Sequence, residues 1–235
     1  MEQRFDLVDV TRDAGVSVVA MNRPDKRNAL SLQLLDELAQ ALEQEERAAE
    51  VSAVVLTGHG DVFSAGADRS PVAGLEGDAL ARAFAPIAVE MADGVARLML
   101  RLLTMRKPVV GAINGHAVGG ALIVALGCDL RVASRDALFW MPEIGMGRAI
   151  GEPSLQTLLA CVGPLVTKDI VLSGRRFTAS ELAALHMVNV VVAADEVAGT
   201  ALAWARALAG RDASAVATVK VRSNVELARI WQALA

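Results

Sequence analysis

Glu143 is the single carboxylate in the apolar stretch Ala137-Leu138-Phe139-Trp140-Met141-Pro142-Glu143-Ile144-Gly145-Met146. An acid set among Phe, Trp, Met and Ile loses hydration, which disfavours its charged form and lifts its pKa toward the range where a carboxyl carries protons at neutral pH. On this stretch alone, an exposed loop glutamate after a proline is the competing reading. Two earlier segments give the acid something to act with. Phe63-Ser64-Ala65-Gly66-Ala67-Asp68 follows a strand pattern, and its small side chains let a ligand approach the main chain, with the Ala67 N–H as donor. Gly119-Gly120-Ala121 lies between a strand and an apolar helix, where first-turn amides lack partners and the dipole end is positive. The Gly120 N–H is the second donor. Each segment taken singly is equally an ordinary tight turn. Two such donors on one oxygen form an oxyanion hole, each contributing about 3 kcal/mol to transition-state stabilisation. With an acid nearby, the indicated chemistry is proton transfer beside a thioester carbonyl through an enolate.

These segments need a frame, and the hydrophobic pattern supplies one. Phe5 to Val10 and Val16 to Met21 read as a hairpin about Arg12-Asp13-Ala14-Gly15. Ser31 caps a helix whose Leu32, Leu35, Leu38, Ala39 and Leu42 share one face. Ala53 to Thr57 is a buried strand ended by Gly58-His59-Gly60-Asp61, and Ser70 to Asp78 is a loop. A long helix over 79–105 follows, with Gly94 as a point of interruption. Strands over 108–114 and 130–134 flank a helix over 119–127, the alternation expected of crossover units. Helices are expected over 154–161, 166–172, 179–185 and 197–208, a last strand over 188–192, and one terminal helix in the tail 212–235. No internal repeat is visible.

The chain has 235 residues, enough for one main domain, with 54% hydrophobic residues, no Tyr and 3% aromatics. That apolar surplus, without an uninterrupted membrane-length run, predicts a soluble protein that hides surface by self-association. A net charge of -4 with scattered basic residues leaves no footprint for nucleic acid. No secretory or organellar leader is read at Met1, so a cytoplasmic location is expected. Cys128 and Cys161 read as buried hydrophobes, and His59, His116 and His186 are too dispersed for a metal motif. Gly145 to Gly151 mimics a dinucleotide fingerprint but has the wrong spacing and no strand–helix unit.

The ordered set of Asn22-Arg23-Pro24-Asp25-Lys26-Arg27-Asn28-Ala29-Leu30, Phe63 to Asp68, Lys107 to Gly115, Gly119-Gly120, Cys128-Asp129 and Met141 to Gly147 resembles the enoyl-CoA hydratase/isomerase (crotonase) superfamily. The resemblance implies an α/β fold, a spiral of ββα units over residues 1–195 with a short C-terminal helical region over 196–235. It implies an acyl-CoA thioester as substrate, with coenzyme A belonging to that substrate and no separate cofactor or metal. It also implies a homotrimer or a hexamer built as a dimer of trimers. Lys26, Arg27 and Ala29 match positions lining the nucleotide end of coenzyme A, where surface solubility competes as an explanation for the two charges. Ala65, Ala67 and Asp68 match positions beside the adenine and pantetheine path. Ala67 and Gly120 match the oxyanion-hole donors, and Glu143 matches the proton-carrying glutamate.

Three departures shape the expected reaction. Hydratases of this family carry a second glutamate three residues after the glycine donor, and here that position is Ile123. An isoleucine removes both a base and a water partner, which favours one-glutamate chemistry: Δ3,Δ2-enoyl-CoA isomerisation, with weak hydration or non-catalytic acyl-CoA binding as alternatives. The segment Arg148 to Ser154 replaces a glycine-rich run, so Glu152 is read either as a second acid turned toward the ligand or, preferably, as a charge suited to a helix start. The short C-terminal part predicts an acyl site that is more open, or closed by another subunit.

Overall fold

Residues 4–75 and 77–233 are described by the computed structural model. The chain opens with β1 (Val8–Asp13) and β2 (Val16–Met21), antiparallel from Val8↔Met21 to Asp13↔Val16. Ala14 and Gly15 both have positive φ, 47° and 80°, the geometry that matches a two-residue turn to strand twist. The first strand therefore begins at Val8 rather than Phe5, and the turn is two residues shorter than its sequence signal. Helix α1 (Leu32–Arg47) starts where expected, with Ser31 Oγ accepting from the Leu34 amide and Leu34, Leu35, Leu38 and Leu42 buried.

Three consecutive ββα units follow. The first strands of the units, β3 (Ala53–Gly58), β5 (Val109–Ile113) and β7 (Leu130–Ser134), pair in parallel. Together with the hairpin and β10 (Val190–Val192) they make a six-stranded sheet in the order β1-β2-β3-β5-β7-β10. Strand β5 is buried along its whole length, as its Val-Val-Gly-Ala-Ile run requires of a central parallel strand. The second strands, β4 (Val62–Ser64), β6 (His116–Val118) and β8 (Leu138–Trp140), form a smaller sheet with β9 (Phe177–Thr178), in the order β4-β6-β8-β9. The units end in helices α2 (Gly77–Thr104), α3 (Gly120–Gly127) and α4 (Glu152–Ser173). This small sheet was absent from the sequence reading, and it is the part that carries the site.

Helix α2 runs through Gly94 without interruption; that glycine instead admits Leu35, whose Cδ1 stands 2.9 Å from where a Cβ would be. The helices expected over 154–161 and 166–172 are the two halves of α4, separated at Gly163, which has φ 70°, before Pro164. Among the described residues α4 is the one helix long and apolar enough to cross a membrane. Its Thr157, Leu158, Ile170 and Val171 nevertheless pack inward, while Leu165 and Leu172 are 81% and 63% exposed.

After α5 (Ala179–Ala184), helix α6 (Val197–Ala209) seals the sheet's second face: Val197, Ala201 and Ala205 pack with Val16, Ala53, Val55, Val110, Ala112 and Val132. The tail is two helices, α7 (Ala213–Ser223) and α8 (Val225–Gln232), not one. Asn224 ends the first, and its Nδ2 donates to the Leu103 carbonyl, anchoring the bend on α2.

Candidate active site

The loop after β4 is fixed by the segment before α1. Asn28 Nδ2 donates to the carbonyls of His59 and Val62, both at 2.8 Å, and Ser64 Oγ donates to the Asn28 carbonyl at 2.7 Å. Ala65 N donates to the Arg27 carbonyl at 2.9 Å. Leu30 then pairs with the loop as an isolated parallel bridge: its N–H donates to Gly66 O and its carbonyl accepts from Asp68 N. Backbone donors alternate in direction along an extended segment, so the intervening Ala67 N–H faces away from Leu30. It has no protein acceptor among the described residues. Gly66 is required here, because φ is +79° and a Cβ would lie 2.4 Å from the Val118 carbonyl oxygen.

The second amide comes from the turn between β6 and α3. The Gly119 N–H donates to the Trp140 carbonyl at 2.9 Å, which ties the turn to β8. Gly120 opens α3, where a helix leaves its leading amides without intrahelical acceptors, and its N–H has no protein partner among the described residues. Both amides line one cavity of about 720 Å³.

Glu143 lines the same cavity, one residue past Pro142 at the start of a short 3-10 turn (Ile144–Met146). Its Oε1 lies 3.0 Å from the point where a Cβ on Gly119 would sit, so the carboxyl occupies the space that glycine leaves. Its Oε2 is buried with no hydrogen-bond partner. Burial raises its pKa, outweighing its own amide and the Arg148 charge, both of which favour the anion. The acid expected from an apolar stretch is thus held, with one oxygen unpartnered, in the cavity that the two free amides also line.

The other sequence candidates separate into wall, support and rim. Ala65 lines the cavity. Ala29 and Asp68 support the loop: Arg23 donates to the Ala29 carbonyl at 2.6 Å and pairs with Asp68 at 3.0 Å, and Asp68 also accepts from the Ser70 amide. Those donors hold the Asp68 carboxyl below its ordinary pKa although its burial pulls the other way. Lys26 and Arg27 are exposed and outside the lining, although the Arg27 main chain holds Ala65. Glu152 is also outside it: an exposed first-turn residue of α4 whose Oε1 accepts from Gln156. Of its two readings, the helix start describes its position. Among the described residues no cluster of His, Cys, Asp and Glu could hold a metal.

Sequence reasoning missed the far wall. Leu80, Phe84, Ala88 and Met91 of α2, Arg148 and Ile150 of the loop before α4, and Trp231 of α8 all face the cavity. The Trp231 Nε1 donates to Thr157 Oγ1 at 3.1 Å. The protomer's own last helix therefore lines the site, a contribution the sequence reading did not anticipate. Ile123 is fully buried in α3 and does not reach the lining.

Comparison with known proteins agrees with this architecture. The family model described as enoyl-CoA hydratase/isomerase matches residues 11–234. The chain is 36% identical over 223 residues to a protein named "Probable enoyl-CoA hydratase echA17" from Mycobacterium avium (strain 104), covering 94% of this chain and 83% of that one. It is 34% identical over 221 residues to 2,3-dehydroadipyl-CoA hydratase of Escherichia coli (strain K12), covering 93% of this chain and 83% of that one. The crystal structure of an enoyl-CoA hydratase from Mycobacterium avium subsp. paratuberculosis K-10 superposes with a TM-score of 0.85 at 28% identity, covering 99% of this chain and 92% of that one.

Proposed function

The chain belongs to the enoyl-CoA hydratase/isomerase family, and from that premise we propose that it moves the double bond of an enoyl-CoA thioester from the Δ3 to the Δ2 position. In this reading the thioester carbonyl accepts from the Ala67 and Gly120 amides. Glu143 takes a proton from the carbon next to that carbonyl, giving an enolate whose charge the two amides hold. The same carboxyl, now protonated, returns a proton to the far end of the conjugated system. One base serves both transfers, and no water takes part. Lys26 and Arg27 meet the nucleotide end of coenzyme A, and the protein works as a homotrimer or a pair of trimers.

The observation that carries this reading is the buried, unpartnered Glu143 Oε2 in a cavity to whose lining the described residues bring no second carboxylate. Hydration needs a water held and activated by hydrogen bonds, and one acid offers a poor cradle for it. Hydratase activity remains the second reading because curated relatives carry that name. The test is purified protein with a 3-enoyl-CoA, following the 2-enoyl absorbance, and a saturated acyl-CoA in D₂O, following α-proton exchange. Both reactions are expected, and Glu143→Gln should slow them by about 10²–10⁴. Water addition faster than isomerisation would favour the hydratase. Tight acyl-CoA binding without turnover or exchange, indifferent to Glu143→Gln, would mark a binding protein.

A further inference from the structure

The cavity lining also carries a cation to which the proposed proton transfer gives no ligand contact, although its charge favours the Glu143 anion. Of the charged residues among the described lining, Glu143 is the only acid, whereas Arg69 and Arg148 are both basic. Arg69 is exposed, with its Nη1 3.5 Å from Met146 Sδ, at the rim. Arg148 is half-buried. Its guanidinium lies over the ring of Phe84, 4.6 Å from the centroid, and that ring is only 7% exposed.

Stacking fixes the guanidinium plane without consuming its N–H donors. Among the described residues Arg148 has no carboxylate partner and makes no side-chain hydrogen bond, and it forms no ion pair with Glu143. The neighbouring wall, with Leu80, Met91, Ile150 and Trp231, offers it no carboxylate. A half-buried, pre-oriented fork of five donors matches the two oxygens of a carboxylate.

We propose that Arg148, held on Phe84, is a specificity residue that binds a carboxylate at the far end of the acyl group, so that the preferred ligands are ω-carboxyacyl thioesters rather than plain fatty acyl ones. This rests on reading the cavity as an acyl-thioester site. A plain acyl chain would leave the guanidinium facing methylene groups, partly stripped of water and without a partner.

The experiment measures calorimetric affinities of the full-length protein for saturated ligands matched in chain length: adipoyl-CoA against hexanoyl-CoA, and glutaryl-CoA against pentanoyl-CoA. Binding is read without turnover, so the result is independent of whether the reaction is isomerisation or hydration. The wild type should prefer the carboxylated member of a pair by about ten- to a hundredfold, the range that charge-assisted hydrogen bonds supply. Arg148→Met, which keeps the apolar stem, should bring the ratio toward one, and Arg148→Lys should retain part of it. Arg69→Met should leave the ratio in place. A wild-type preference for the methyl-ended ligand, an unchanged ratio in Arg148→Met, or loss of the ratio in Arg69→Met instead would each overturn the assignment. Failure to bind any of these thioesters would overturn the acyl-thioester reading beneath it.

Discussion

At the scale of single residues, the protonation of Glu143 connects folding to chemistry. Burial favours its neutral form, so its folded pKa stands above the ordinary 4.5. Proton abstraction needs the anion, and α-proton exchange should therefore rise with pH through a midpoint above that value, an acid limb absent in Glu143→Gln. The linked effect on stability has the opposite sign: a carboxyl with a raised folded pKa contributes below its unfolded pKa and loses that contribution as pH rises through the folded one. Urea titrations at acid and neutral pH should show Glu143→Gln gaining on the wild type as pH increases. Ile123→Glu should not create a hydratase. That side chain is enclosed in α3 away from the cavity, and burying a charge there should cost about 3 kcal/mol or more, read as a fall in thermal midpoint. The acid and both amides were legible in the sequence because their signals are local: one carboxylate in an apolar run, small residues at strand ends. Arg148 and Trp231 carry no such signal, since their importance comes from Phe84 and Thr157, far away in the chain.

At the scale of elements, three ββα units are built from sequences that do not resemble one another. Their helices have 28, 8 and 22 residues, which is why no repeat period appears. The long strands of the large sheet were readable from continuous Val, Leu and Ala runs. The small sheet was not, because strands of two or three residues are too short to show a period and are held by their partners instead. That sheet positions the chemistry: Gly119 is tied to Trp140, and Leu138 N donates to His116 Nδ1 at 3.0 Å. Gly66→Ala should accordingly be severe, about 2 kcal/mol or more in denaturant unfolding, since it combines positive φ with a Cβ placed against the Val118 carbonyl. Ser31→Ala, which removes the cap of α1 without touching the cavity, should cost about 1 kcal/mol and leave α-proton exchange unaltered.

At the scale of the whole molecule, the outer half of α4 leaves Leu165 and Leu172 uncovered on a chain already rich in apolar residues. We propose that such a surface is covered by burial between protomers. Light scattering of the wild type should give a trimer or hexamer, and Leu165→Glu should shift it toward smaller species while the far-ultraviolet spectrum is retained. The tail behaves differently, since α8 turns inward and contributes Trp231 to the cavity. Between Ser154 and Trp231 the chain passes through α5, β10, α6 and α7 without contributing to the lining. During synthesis the acid and its two amides therefore leave the ribosome long before the indole that completes their chamber. The site is finished late, and a nascent chain holds its reactive groups for many residues before it has the wall that shuts them in.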